Sequence, residues 1–161
     1  IGDVVSGNLQ LAHVATSQGV LAAEVAAGQR RKVETVVPSC IFTSPEIGVV
    51  GMTEEQARGA GREVRTGVYN FAGLGKAMAA GTTDGFVKWV ADAATDQLLG
   101  AQAVGPHATE LIATAALAVR NELTALEYGR TIHSHPTLSE AWMEAAHAMH
   151  GTCIHAAPRR R

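Results

Sequence analysis

An imidazole and a carboxylate five residues apart are the pair of side chains best suited to chemistry in this sequence. Residues 131–140 read TIHSHPTLSE, so His135 directly precedes Pro136 and Glu140 falls in the first turn of a predicted helix. We expect His135 and Glu140 to lie within hydrogen-bonding distance. A carboxylate bonded to one ring nitrogen fixes the tautomer and raises the basicity of the other nitrogen, as a general base near neutral pH requires. The pattern predicts that His135 moves a proton to or from a thiol.

A structural role also explains this spacing. Thr137-x-x-Glu140 has the form of a capping box, in which the two side chains satisfy the first backbone N–H groups of a helix. Pro136 suits a helix start as well, because a missing N–H costs nothing at that position. Spacing alone leaves the catalytic and the structural interpretation open.

The string HPTLSE resembles the catalytic signature of the pyridine nucleotide-disulfide oxidoreductases. The resemblance implies that His135 is the acid–base residue, that Glu140 orients it and that the bond between His135 and Pro136 is cis. It extends over essentially the whole chain in the same order, including residues 45–57 (PEIGVVGMTEEQA) and 99–106 (LGAQAVGP). Several collinear matches argue against coincidence.

The beginning of the chain resembles the second flavin motif of this family. Gly2-Asp3 alone would indicate only a turn, but its place in the family order implies that Asp3 bonds the sugar-derived chain of FAD. The same order implies that backbone N–H groups at Leu11, Ala12 and His13, at a helix start, approach the flavin ring. A helix N-terminus suits a partly anionic flavin on general grounds. Gln18 departs from the family, where a glutamate is frequent at this position.

Two features favour one branch of the family. Leu138 and the tail at residues 150–155 resemble the enzymes that oxidise dihydrolipoamide with NAD more than the glutathione reductases, which remain an alternative. The resemblance implies FAD and NAD as cofactors, and a homodimer in which His135 reaches the flavin and disulfide site of the partner chain. It also implies the lipoyl domain of an oxo-acid dehydrogenase complex as a partner.

The sequence lacks counterparts of other parts of that chemistry. It contains no Gly-rich phosphate loop, no redox-active cysteine pair and no nicotinamide site, and it begins with Ile1. We therefore expect a piece of a longer protein that is inactive alone. A free-standing interaction module that dimerises without catalysis is the competing interpretation.

The elements that must position these residues are predicted from periodicity and turn signals. Apolar residues at helical spacing predict helices, and short β-type segments separated by Gly, Pro and Asp predict strands. Predicted helices cover residues 9–27, two turns from Thr53, 107–123, and 136 or 137 to about 150. Predicted strands cover residues 39–43, 47–52, 62–71, 86–91 and 98–104, with residues 73–75 as loop.

This order of elements predicts an α+β fold, because the strands come as hairpins and not as alternating β-α units. We expect an antiparallel sheet with helices packed on one face. A change of composition near residue 35 divides the chain into the end of an FAD-binding domain, 1–35, and a dimerisation domain, 36–161.

Composition limits the remaining function classes. A net charge of -2 and a pI near 6.4 favour neither nucleic acid nor an anionic membrane as partner, and Arg159–Arg161 is expected to be a solvated tail. The distant Cys40 and Cys153 favour a reduced, cytoplasmic protein, and no apolar stretch is long enough for a membrane helix. Glu144-x-x-His147 has the spacing of di-iron bundles, but one such motif among strands is a weak metal signal, and no metal is expected.

Overall fold

The computed structural model describes residues 1–156, so the arginine run at 159–161 lies outside the described residues. The strands are Ser39–Ile41 (β1), Ile47–Gly51 (β2), Val64–Asn70 (β3), Phe86–Asp92 (β4) and Leu98–Val104 (β5). The α-helices are Ala12–Ala26 (α1), Glu54–Gly59 (α2), Gly75–Ala80 (α3), Ala108–Arg120 (α4), Ala125–Arg130 (α5) and Glu140–Met149 (α6). The predicted α+β class is confirmed.

The five strands form one antiparallel sheet in the order β1-β2-β5-β4-β3. Its centre is the predicted hairpin of β4 and β5, in which Trp89 pairs with Ala101. Asp92 organises the turn, since its Oδ1 accepts hydrogen bonds from the N–H groups of Ala94 and Thr95. An aspartate that bonds the backbone two and three residues on is a common turn device.

Small residues let two helices lie directly on one face of this sheet. A Cβ at Gly48 in β2 would lie 2.6 Å from the carbonyl oxygen of Ala108 in α4. A Cβ at Gly67 in β3 would collide with the carbonyl oxygen of Ala145 in α6. Helix α6 therefore rests on β3 and β4, and this contact fixes its height above the sheet. The short helix α2 packs on the opposite face, where Ala57 meets Val90.

Three aromatic rings join α5, α6 and the sheet. Trp89 lies 4.6 Å from Trp142 and 5.0 Å from Tyr128 between ring centroids, and both tryptophans are fully buried. Each indole N–H has a partner: Trp89 donates to the Trp142 carbonyl at 2.9 Å, and Trp142 donates to the Leu111 carbonyl at 3.1 Å. Buried indoles ordinarily need such acceptors. These bonds hold α6 against both β4 and α4.

The sequence predictions were wrong at three places. Helix α6 begins at Glu140, not at 136 or 137, because the Thr137 hydroxyl bonds the Ser134 carbonyl and does not accept the N–H of Glu140. A 3-10 turn, Phe71–Gly73, and then α3 replace the loop predicted around residues 73–75, since Leu74 is buried there. Helix α5 was not predicted.

The first helix contacts the sheet domain only weakly. Val14 is the one buried residue of α1, while Val20 and Val25 are about half exposed. Residues 29–38 form neither helix nor strand, and His13 Nε2 lies 2.8 Å from the Pro38 carbonyl oxygen across this connection. The domain division near residue 35 falls in this stretch and stays a prediction.

Candidate active site

The predicted His135–Glu140 contact is present. His135 Nδ1 lies 2.9 Å from Glu140 Oε1. The Glu140 residue is 7% exposed, whereas the His135 side chain is 70% exposed. Because an ionised carboxylate only accepts hydrogen bonds, Nδ1 carries the proton in this contact. The other ring nitrogen, Nε2, is therefore left as an accessible acceptor.

A tight turn presents the histidine. The His135–Pro136 peptide bond is cis, as the resemblance implied. Thr137 ties the turn together: its N–H donates to Glu140 Oε2 at 2.7 Å, and its hydroxyl donates to the Ser134 carbonyl at 2.7 Å. Only the glutamate half of the predicted capping box exists, so Glu140 braces the turn and the imidazole together.

The surroundings of Glu140 favour its ionised form. Burial acts to raise the pKa of Glu140, but the hydrogen bonds from the Thr137 N–H and from His135, and the charge interactions with His135 and His155, outweigh burial and lower it. A carboxylate that stays ionised can stabilise positive charge on the imidazole it touches. The pair thus has the charge state that a histidine acid–base residue needs.

A second glutamate–histidine pair lies one helical turn along α6. Glu144 is fully buried, and its Oε1 lies 2.6 Å from His155 Nδ1. Its Oε2 accepts from the Cys153 thiol at 2.8 Å and from the N–H of Ile154 at 2.9 Å. Burial opposes ionisation, but these donors together hold the pKa of Glu144 below its ordinary value. The sequence did not predict these partners.

The predicted metal alternative has no geometric support. Glu144 contacts His155 and Cys153, while His147 Nδ1 lies 3.4 Å from the Thr152 hydroxyl. Among residues 1–156, no group of three or more histidine, cysteine, aspartate or glutamate side chains has an arrangement that could hold a metal ion. The described part of the chain likewise contains no helix with the length and apolar character of a membrane span.

Asp3, the first of the predicted flavin-binding residues, lies in a 3-10 turn, Gly2–Val4, that packs against α1. Gly2 packs against Ala15 so closely that a Cβ at Gly2 would lie 3.0 Å from the Cβ of Ala15. Gln18 Oε1 accepts the Gly2 N–H at 2.7 Å, which a glutamate in this position would also do. The departure from the family at Gln18 therefore preserves the acceptor that holds Gly2 against the helix.

Two of the three predicted backbone donors are free within the described residues, whereas the Leu11 N–H already donates to the Leu9 carbonyl at 2.9 Å. The Asp3 side chain is exposed and has no hydrogen-bond partner there, and α1 begins without a side-chain cap. The N–H groups of Ala12 and His13 find no acceptor in residues 1–156, as is usual at an uncapped helix start. An unpaired carboxylate and free amide donors are groups that fit the hydroxyl groups and the partly anionic ring of FAD.

The chain does not bring its two sets of predicted site residues together. No hydrogen bond between described residues joins Asp3 or the first turn of α1 to His135 or Glu140. One set therefore holds the residues predicted to bind flavin, and the other holds an exposed imidazole bonded to a buried carboxylate.

The fold and this pair of site halves define a class of protein. Residues 37–146, more than half of the chain, match the family model described as "Pyridine nucleotide-disulphide oxidoreductase, dimerisation domain". The chain belongs to the pyridine nucleotide-disulphide oxidoreductases and carries their dimerisation domain.

Its relatives point to a particular member of the family. The chain is 50% identical to dihydrolipoyl dehydrogenase of Bacillus subtilis over 157 residues, which are 96% of this chain and 33% of that protein. It is 43% identical to dihydrolipoyl dehydrogenase of Chlamydia muridarum over 162 residues, covering 100% of this chain and 35% of the relative. The chain thus spans about a third of the length of the curated relatives that it matches.

Solved structures show the same fold. LpdA from Mycobacterium tuberculosis matches with a TM-score of 0.84 and 33% identity, over 90% of this chain and 32% of LpdA. The HOCl-induced flavoprotein disulfide reductase RclA from Escherichia coli matches with a TM-score of 0.83 and 26% identity, over 91% of this chain and 34% of RclA.

Proposed function

We propose that this chain is the C-terminal dimerisation domain of an enzyme that oxidises dihydrolipoamide with NAD through FAD and a redox disulfide. The observation that carries the proposal is the 2.9 Å contact of His135 Nδ1 with the shielded Glu140, which leaves Nε2 open to solvent. The relatives named dihydrolipoyl dehydrogenase support this substrate over another disulfide.

In this reaction His135 acts as the acid–base residue. Its Nε2 takes the proton from a substrate S–H group, which leaves the more nucleophilic thiolate. Glu140 keeps Nδ1 protonated and stabilises the imidazolium that forms, so the ring stays aimed while its charge changes. General acid–base catalysis of this kind contributes about 10²–10⁴-fold to a rate.

The N-terminal part of the chain, residues 1–35, would bind the cofactor. Asp3 would bond the sugar-derived chain, and the helix start at Leu11, Ala12 and His13 would face the ring, with the free N–H groups of Ala12 and His13 as donors. When bound there, FAD would supply the acceptor for the two electrons of the dithiol. The NAD site and the redox cysteine pair are not in this chain, so the chain alone is expected to be inactive.

Residues 36–161 would form the dimer contact. Ile132 is 96% exposed and lies three residues before the exposed His135. A fully exposed isoleucine beside a reactive imidazole suits burial against a second subunit. The separation of His135 from the flavin-facing residues in this chain fits a homodimer in which each active site uses two chains. The wider partner would be the lipoyl domain of an oxo-acid dehydrogenase complex, and the two free cysteines suit a reducing cytoplasm.

The test uses the full-length protein purified from its natural source. We expect flavin absorption, NAD reduction with dihydrolipoamide and at least tenfold lower activity with reduced glutathione as the thiol. A preference for glutathione would reassign the substrate. A colourless 16.8 kDa species without activity would favour the free-standing interaction module instead.

A further inference from the structure

Glu144 is a buried carboxylate that the proposed reaction does not use. It is 0% exposed, and within residues 1–156 all of its side-chain hydrogen bonds go to one short stretch, Cys153–His155. A buried carboxylate is costly unless it is well bonded, and this one receives a thiol, an imidazole and two backbone N–H groups. These hydrogen bonds offset the cost of burying Glu144, and they hold residues 153–155 in place.

The bonded stretch lies beside the candidate active site. Glu144 follows Glu140 by one turn of α6, so both carboxylates lie on the same side of the helix. The Tyr69 hydroxyl in β3 donates to the Gly73 carbonyl at 3.1 Å and lies 3.5 Å from the His155 carbonyl oxygen. Residues 153–155 therefore fold back along α6 as far as Glu144 and reach Tyr69 of β3.

Charge supports the same arrangement. Burial first, and then the nearby Glu144, Cys153 and Glu140, raise the pKa of Tyr69 to about 12. For Glu140, burial acts to raise the pKa, while the Thr137 N–H, His135 and, as the smallest contribution, His155 act to lower it. Two carboxylates one turn apart repel each other, and the four hydrogen bonds that Glu144 receives from residues 153–155 offset that repulsion.

We propose that Glu144 is a positioning residue: it anchors residues 153–155 against α6 and thereby holds the preceding turn of the helix, which carries Glu140, in line with His135. This inference rests on the proposed function, because it concerns the same acid–base pair. Glu144 itself touches neither His135 nor the substrate in this mechanism.

The hold of Glu144 on residues 153–155, here called the anchor, can be tested without measuring catalysis. The quantity measured is the reactivity of the Cys153 thiol, which Glu144 bonds. Burial, and then the hydrogen bond to Glu144, raises the pKa of Cys153 to about 11. Thiolate is the form that reacts with iodoacetamide, so Cys153 should react slowly while the anchor is in place. Cys40 is an internal reference, since its thiol is half-buried elsewhere and lies 3.8 Å from the Thr109 carbonyl oxygen.

The first experiment compares iodoacetamide labelling of the two cysteines in the full-length enzyme and in its Glu144→Gln variant, by mass spectrometry of peptides. We expect Cys153 to react about tenfold faster or more in the variant, because its thiol is released, while Cys40 is unchanged. Equal Cys153 rates in the two proteins would overturn the anchor. If Glu144→Gln does not fold, Glu144→Asp replaces it, since the shorter carboxylate cannot reach all of these donors, and an unchanged Cys153 rate again overturns the anchor.

The second experiment separates kcat from KM for dihydrolipoamide in the same variants. We expect Glu144→Gln to lower kcat about fivefold with KM unchanged, because alignment of the base is lost and not substrate binding. Glu55→Gln, an exposed glutamate on α2 across the sheet, is the matched control and should leave both constants unchanged. Faster Cys153 labelling with an unchanged kcat would overturn the positioning role. Wild-type inactivity toward dihydrolipoamide would instead sink the proposed function, while the labelling result still decides the anchor.

Discussion

Helix α6 carries the glutamates of two glutamate–histidine pairs, which differ in the other groups that each carboxylate bonds. The nitrogen–oxygen distance is 2.9 Å for His135–Glu140 and 2.6 Å for His155–Glu144. In addition to His135, Glu140 bonds one backbone N–H, from Thr137. In addition to the His155 ring, Glu144 bonds a thiol and two backbone N–H groups of residues 153–155. The residue types are the same, so the surroundings decide whether a pair presents a base or fastens the chain.

The first test of this contrast exchanges the two histidines for glutamine, one at a time, in the full-length enzyme. His135→Gln should slow dithiol oxidation by about a hundredfold or more, because glutamine cannot accept the proton. His155→Gln should cost less than about tenfold, since His155 acts only through its neighbours. Steady-state kinetics with dihydrolipoamide and NAD measure both, and unchanged turnover in His135→Gln would remove His135 from the mechanism.

The free energy of unfolding should depend more on the Glu144 pair than on the Glu140 pair, the reverse of the order expected for turnover. Glu144→Ala leaves a buried thiol and two N–H groups without an acceptor, so we expect the free energy of unfolding to fall by about 2–3 kcal/mol. Glu140→Ala should cost about 1 kcal/mol, because it removes one such backbone bond and an exposed ring partner. Urea unfolding followed by circular dichroism gives both values. Equal losses would mean that the two carboxylates do the same structural work.

A smaller effect is expected when only the orienting carboxylate changes. Glu140→Gln should lower kcat about tenfold, because an amide still accepts from His135 Nδ1 but does not stabilise the imidazolium. The control is Thr137→Ser, which keeps the hydroxyl and the N–H and should retain near wild-type turnover. A loss as large as that of His135→Gln would make Glu140 more than an orienting group.

The smallest expected effect is the pH dependence of stability. The fold lowers the pKa of both Glu140 and Glu144 from the ordinary value of 4.5, so their stabilisation is present above that pH and is lost as pH falls below it. Each proton taken up on unfolding contributes a slope of up to about 1.4 kcal/mol per pH unit. Urea midpoints between pH 6 and pH 3 should fall less steeply for Glu144→Gln than for the wild type. Parallel curves would contradict an ionised Glu144.

Elements with strong local signals could be predicted, and those that depend on packing could not. The β4–β5 hairpin followed from two β-type runs around Asp92–Asp96, and α4 followed from apolar residues every four positions. Helix α5 is too short for periodicity, although its Thr124–Glu127 capping box was a usable signal. Helix α3 forms where Leu74 and Ala77 reach the core, and no local pattern announces that burial.

The candidate site divides in the same way. The contact of His135 with Glu140 spans five residues around a proline, so the order of residues already places the two groups together. The partners of Glu144 lie nine to eleven residues along the chain and are reached only because the chain folds back over α6. Whether a carboxylate is exposed or sealed depends on the helices and strands around it, which no short motif encodes. The sequence HPTLSE therefore specified the base, His135, and its orienting group, Glu140. The tertiary structure decided how far each carboxylate is buried and which groups Glu144 bonds, because those depend on residues that pack around α6.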